Sequence, residues 1–197
     1  MADHSGTRER ASKLALRDQL RAARRGLGPA LLGEHARALA DVVLAVPEVR
    51  RAATVAAYVS VGSEPGTGPL LDALTARGVH VLLPVVLPDL DLDWAAYAGD
   101  RDLAPGPRGL LQPVGERRGT DAVATADVVL LPGLAVGADG SRLGQGGGCY
   151  DRALARVPVG TLTCVLLHPG ELLDAVPREP HDRPVLAAAT PEGLVRF

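Results

Sequence analysis

Residues 54–61 read Thr-Val-Ala-Ala-Tyr-Val-Ser-Val, and residues 79–86 read Val-His-Val-Leu-Leu-Pro-Val-Val. Both are apolar runs with little polar alternation, the pattern of strands buried on both faces of a sheet. The first run ends in Gly62-Ser63-Glu64-Pro65, and residues 69–77 between the two read as a helix. A strand, a helix and a second strand in that order predict a parallel pair with a right-handed crossover. Working outward, residues 94–98 predict a short third strand, and residues 128–131 and 161–167 two more. A glycine-rich turn and a helix over 152–156 separate the last two.

Ahead of these, residues 8–25 and 29–44 read as helices divided by Gly26-Leu27-Gly28, with the first seven residues expected to be disordered. Residues 101–125, rich in Gly, Pro and charge, read as a long loop, and the tail from Pro169 as turns and short elements. There is no repeat and no evident linker. Residues 1–197 are therefore expected to form a single three-layer α/β/α domain with a mainly parallel, Rossmann-like sheet and helices on both faces. Ligands of such sheets sit beyond the carboxyl ends of the strands, where Glu64 and the glycine-rich turn both fall.

Composition narrows the function. The chain has 197 residues, 47% of them hydrophobic, and a formal charge of −2. That size buries a continuous core without staples, and the charge leaves no basic surplus for binding nucleic acid. The two cysteines, Cys149 and Cys164, match no disulfide or zinc spacing, so a reducing cytoplasm is the expected setting. No apolar run approaches membrane-spanning length. Monomer and homodimer are both compatible with the sequence.

The chemistry concentrates in residues 142–151, Arg-Leu-Gly-Gln-Gly-Gly-Gly-Cys-Tyr-Asp. Gly144, Gly146, Gly147 and Gly148 lie between a strand region and a helix start, where missing Cβ atoms let several backbone N–H groups converge on an anion. Arg142 adds a permanent cation, and Asp151 a hard oxygen ligand suited to Mg²⁺. The spacing matches neither the P-loop nor the dinucleotide fingerprint. Read alone, the stretch is either a phosphate site or a flexible turn with a tight helix contact, and Asp151 either a metal ligand or a residue favouring the helix start.

Of the 21 basic residues one alone, Lys13, is a lysine. Lys13, Arg17, Arg21 and Arg24 recur at helical spacing, opposite an apolar side with Leu14 and Leu20. Such a stripe is either a solvated face or a row of cations aimed at a phosphate chain.

Several motifs now converge. Leu131-Pro132-Gly133-Leu134-Ala135, then Gly140 and residues 142–151, resemble the signature of the 5-formyltetrahydrofolate cyclo-ligase family, also called methenyltetrahydrofolate synthetases. Lys13-Leu14-Ala15-Leu16-Arg17 resembles the family's Lys-x-x-Leu-Arg element; residues 60–67, with Glu64 and Thr67, resemble its strand-end Glu followed by Thr; His181-Asp182, after Pro177, resembles its late acidic element.

The resemblance implies ATP- and Mg²⁺-dependent closure of 5-formyltetrahydrofolate to 5,10-methenyltetrahydrofolate through a phosphorylated formyl group. It implies that Lys13, Leu14, Ala15, Leu16 and Arg17 contact ATP together with Arg142, Leu143, Gly144, Gln145, Gly146, Gly147, Gly148, Cys149 and Tyr150. Lys13 and Arg142 are the implied catalytic cations. Val59 and Glu64, with the loop residues 145–149, are implied for the folate, and Asp151 and Asp182 for Mg²⁺. The chain departs from the family where aromatics are usual: Val136 follows the Pro-Gly turn, Gln145 stands in the loop, and Cys149 replaces the first Tyr of Tyr-Tyr-Asp. Fewer aromatic faces are expected to weaken folate binding more than phosphate binding. A non-catalytic nucleotide-binding or folate-sensing protein on the same scaffold is the second reading.

Overall fold

The computed structural model describes residues 3–179 and 182–197; His181 lies outside them. Helices α1 (Asp3–Arg25), α2 (Pro29–Ala45) and α3 (Pro47–Arg51) precede strand β1 (Thr54–Ala56). Then come α4 (Gly68–Ala76), β2 (His80–Val86), β3 (Leu92–Ala96), β4 (Leu103–Pro105) and β5 (Leu111–Pro113). They are followed by β6 (Val128–Pro132), β7 (Ala135–Gly137), β8 (Arg142–Leu143) and α5 (Cys149–Leu154). Strands β9 (Leu162–Leu166), β10 (Leu172–Leu173), β11 (Ala187–Thr190) and β12 (Gly193–Arg196) complete the chain.

Seven strands form one sheet in the order β12-β11-β9-β6-β1-β2-β3, its five central members parallel and both edge strands antiparallel. Buried on both faces, the central strands feed two cores through the two-residue period of the pleat. Val55, Val81, Leu83, Val128, Leu130, Leu162 and Leu166 meet α2, α3 and α4 on one face. Ala56, Leu82, Val129, Leu131 and Val165 meet Ala153 and Leu154 of α5 and Val123 on the other. The expected three-layer α/β/α arrangement is the one observed.

Several elements depart from expectation. The strand expected over 54–61 stops at Ala56. Past it, Ser60 and Thr67 exchange backbone-to-hydroxyl bonds (3.0 Å each), and Glu64 Oε2 accepts the Val61 N–H (3.0 Å). Side chains thus satisfy the amides a ladder would have used, and the segment becomes a loop. The expected loop over 101–125 contains the β4–β5 hairpin and a 3-10 segment, Thr120–Thr125. Three-residue strands are too short to show a period. The tail supplies β10, β11 and β12; in β11 the buried Ala187-Ala188-Ala189 lets α2 approach, but alanine carries little strand signal.

Helix α1 starts at Asp3, five residues before its expected beginning; of its two expected apolar-side leucines Leu20 is buried and Leu14 is not, and the basic stripe takes the inward of its two readings. Leu14 is 56% exposed, whereas Lys13 and Arg24 are 5% and 3% exposed. The stripe Lys13, Arg17, Arg21, Arg24 faces the fold. Arg24 donates to both carboxylate oxygens of Glu171 (2.6 and 2.8 Å) and to the Gly133 carbonyl (2.7 Å), docking the helix through a buried, bidentate pair.

Candidate active site

Strand order creates the site. From β1 the chain proceeds to β2 on one side, whereas β6 and β9 lie on the other, so the sheet has its topological switch between β1 and β6. A cavity of about 670 Å³ is lined there by Tyr58, Val59 and Glu64 after β1, by Pro132 at the end of β6, and by residues 144–151. It falls within the roughly 300–1,000 Å³ usual for small-molecule sites.

The glycine loop is aimed by a second, three-stranded sheet of order β10-β7-β8. A Cβ on Gly133 would meet Val165 Cγ1 at 2.6 Å, so only glycine lets the turn into β7 pack against β9. Residues 144–148 leave β8 and end at Gly148, whose left-handed φ of +67° starts α5. Helix α1 holds the loop from one side. Arg17 Nε donates to the Gly144 carbonyl (2.9 Å), and Arg21 grips the Gln145 side-chain oxygen (2.8 and 3.1 Å).

Two ion pairs border the cavity. Lys13 Nζ lies 2.6 Å from Asp182 Oδ2 and 3.5 Å from Glu179 Oε2. Arg142 Nη2 donates to Asp151 Oδ1 (3.0 Å), and its guanidinium sits 5.9 Å from the centre of the Tyr150 ring. Arg142 Nε is buried without a hydrogen-bond partner among the described residues, the kind of donor an anionic ligand satisfies. All three carboxylates line the cavity. They are hard oxygen donors, and Mg²⁺ needs only one or two such groups beside water and phosphate oxygens, so the donor set suits it. No cluster of three or more metal-ligating side chains occurs among the described residues.

The opposite character belongs to Tyr58, Glu64 and Tyr150. Burial pushes the Glu64 carboxyl above its ordinary value, against the opposing pull of the Val61 N–H and Arg24. Burial, reinforced by Glu64, likewise raises both phenols.

Comparison with known proteins decides the relationship. The 5-formyltetrahydrofolate cyclo-ligase family model matches residues 9–191. The chain belongs to the 5-formyltetrahydrofolate cyclo-ligase family. A protein named 5-formyltetrahydrofolate cyclo-ligase from Mycolicibacterium smegmatis is 41% identical over 148 residues, 72% of this chain and 76% of its own. One of the same name from Escherichia coli is 32% identical over 180 residues, 87% of this chain and 96% of its own. In structure, the Aquifex aeolicus 5,10-methenyltetrahydrofolate synthetase superposes with a TM-score of 0.80 at 26% identity, covering 93% of this chain and 92% of its own. The Mycoplasma pneumoniae synthetase, at 18% identity and a TM-score of 0.72, shares the fold, covering 91% and 98%. This cyclo-ligase family member is therefore an enzyme.

Of the residues implied by resemblance, Lys13, Arg17, Val59, Glu64, Arg142, Gly144, Gln145, Gly146, Gly147, Gly148, Cys149, Tyr150, Asp151 and Asp182 all line the one cavity. Leu14 and Ala15 face solvent, Leu16 packs beside Leu20, and Leu143 is buried with Leu134 and Val176; none of these four lines it. Sequence reasoning missed Tyr58, Gln112 and Glu179. Tyr58 precedes Val59 inside the apolar run 54–61, where nothing separates it from a strand residue. Gln112 sits on β5, in a segment read as loop, and nothing in its neighbours marks it.

Proposed function

We propose that this chain catalyses the ATP- and Mg²⁺-dependent closure of 5-formyltetrahydrofolate to 5,10-methenyltetrahydrofolate. One observation carries the reading: a single cavity at the switch point joins the glycine loop and its cations to the half-buried carboxyl of Glu64. The names of its relatives support the same activity.

The formyl oxygen of the substrate is an amide oxygen and a poor leaving group. It takes the γ-phosphoryl group of ATP, breaking the bond to the β-phosphate and releasing ADP. N10 then attacks the activated carbon, its proton passes to solvent, and the C–O bond to phosphate breaks as the amidinium ring forms. No side chain needs to form a covalent bond. The protein's contribution is position and charge. Lys13, Arg17 and Arg142 offset the triphosphate charge, with the loop amides as further donors. Glu64 accepts from the polar edge of the pterin, and Val59 and Tyr150 supply apolar and aromatic wall. Asp151 and Asp182 would hold Mg²⁺, which when bound supplies further neutralisation of phosphate charge. Asp182 is paired with Lys13 and Asp151 with Arg142, which supports a reading in which metal-side and phosphate-side groups work side by side.

The test is absorbance-monitored formation of methenyltetrahydrofolate. Signal that requires 5-formyltetrahydrofolate, ATP and Mg²⁺ together, with one ATP cleaved per ring closed, is the expected result. Protein that binds ATP yet forms no product at saturating substrate overturns the proposal.

No helix among the described residues is long and apolar enough to cross a membrane.

A further inference from the structure

Arg152 lies on α5 just past the glycine loop and does not line the cavity. It is exposed, yet its guanidinium is fixed from two sides: Nη2 donates to the Leu90 carbonyl at 2.6 Å and to the Gly147 carbonyl at 3.2 Å. Leu90 belongs to the turn between β2 and β3, and its φ of +67° is the single positive value at a non-glycine residue among those described. A backbone held there needs surrounding support. One helical turn along, Arg156 supplies it by donating to both carboxylate oxygens of Asp91 (3.0 and 2.6 Å). The turn is thus an anchored abutment for Arg152.

The consequence lies in the peptide joining Gly147 to Gly148. No described peptide bond is cis, and in a trans peptide the C=O and N–H point in opposite directions. Arg152 draws the Gly147 carbonyl toward a residue outside the cavity. The Gly148 N–H is then turned the other way, and no acceptor among the described residues takes it. Gly148 itself lines the cavity. Its lack of a Cβ leaves Arg152 room to fold back, since a Cβ there would stand 3.3 Å from Arg152 Nη1.

We infer that Arg152, braced by Leu90, is a positioning residue that presets the Gly148 N–H as a phosphate donor. The inference rests on the proposed ATP role of the loop. It assigns a task to a residue outside the cavity lining that the motif reading left out.

The experiment compares wild type with Arg152→Ala and Arg152→Lys, varying ATP and 5-formyltetrahydrofolate separately. ATP binding is also measured by calorimetry, and the Gly148 amide is followed by NMR. In Arg152→Ala the ATP KM and Kd should rise about tenfold, the scale of one charge-assisted hydrogen bond. The folate KM and Tm should stay as in wild type, and the ATP-induced shift of the Gly148 amide should shrink. Arg152→Lys, whose ammonium still reaches a carbonyl, should recover part of the loss. Unchanged ATP affinity in Arg152→Ala overturns the inference and leaves the proposed function standing. A loss spread equally over both substrates and Tm also overturns it, since Arg152 would then only hold the fold. Wild type that binds no ATP overturns both.

Discussion

Lys13 Nζ and Asp182 Oδ2 lie 2.6 Å apart across 169 residues of chain. The pair joins the first helix to the segment before β11 and closes one side of the cavity. Its side chains are 6% and 12% exposed, so the chain's one lysine is a buried ion rather than a surface charge.

Lys13→Ala should therefore cost stability as well as turnover. Removing one partner of a buried pair costs up to about 3–5 kcal/mol, moderated here because Glu179, 3.5 Å from Lys13, keeps Arg10 at 3.4 Å and Asp182 keeps the Glu179 N–H at 2.7 Å. Turnover should fall by about 100-fold or more, the scale for a group that stabilises developing charge. Lys13→Arg should fold better than Lys13→Ala yet stay slow, because a planar fork cannot occupy the place of a compact ammonium. Urea denaturation beside steady-state kinetics checks both parts.

Glu64→Gln should separate stability from activity. Burial raises the Glu64 carboxyl, so the folded protein holds that proton to higher pH than the unfolded chain does. The ionised group then disfavours folding above its folded-state value, and the penalty fades as pH falls through it. Glutamine removes the penalty, and its side-chain oxygen still accepts the Val61 N–H, so Tm at neutral pH should rise. The folate kcat/KM should drop roughly 10- to 100-fold, the worth of one hydrogen bond to a charged group. A scanning calorimetry trace and folate saturation curves check this pair of opposite effects.

His168 should make stability sensitive to mild acid. Its Nε2 faces the Ser63 carbonyl (3.1 Å) and so carries the proton, leaving Nδ1 to accept from His35 Nδ1 (3.1 Å). Glu171 and Arg24 are the charged groups beside it. Burial holds His168 below the ordinary imidazole value of 6.5, although Ser63 and Glu171 pull the other way. The unfolded chain takes up the proton first, so stability is full above about pH 6.5 and declines as pH falls below it. The urea midpoint should be lower at about pH 5.5 than at about pH 7.5, and His168→Gln should flatten that difference.

Arg24→Ala should strand the Glu171 carboxylate and the Gly133 carbonyl together, at about 3–5 kcal/mol. The double substitution Arg24→Met, Glu171→Leu should recover much of that loss, because neither charge then remains buried. A double-mutant cycle in urea measures the coupling.

The sheet was legible in the chain because buried parallel strands are uninterrupted apolar runs: 79–86 and 161–167 form β2 and β9 with one residue trimmed from each end or fewer. The loop chemistry was legible because glycines, Arg142 and Asp151 are adjacent in sequence. Leu14 misled, since counting apolar residues around α1 ignores that a cation can be the buried side when a carboxylate waits for it. Glu171 lies 147 residues from Arg24, and Asp182 lies 169 from Lys13, so no local pattern announces either partner. Gln112 and the short β4–β5 hairpin that carries it have no period to read. What the sequence by itself determined was five of the seven strands of the main sheet (β1, β2, β3, β6 and β9), the family motifs and the residue types able to hold phosphate and metal, because those properties are local. Only the tertiary structure decided which face of α1 turns inward, which carboxylate neutralises which cation, and which way the Gly147 carbonyl points, because each depends on groups that folding alone brings within hydrogen-bond distance.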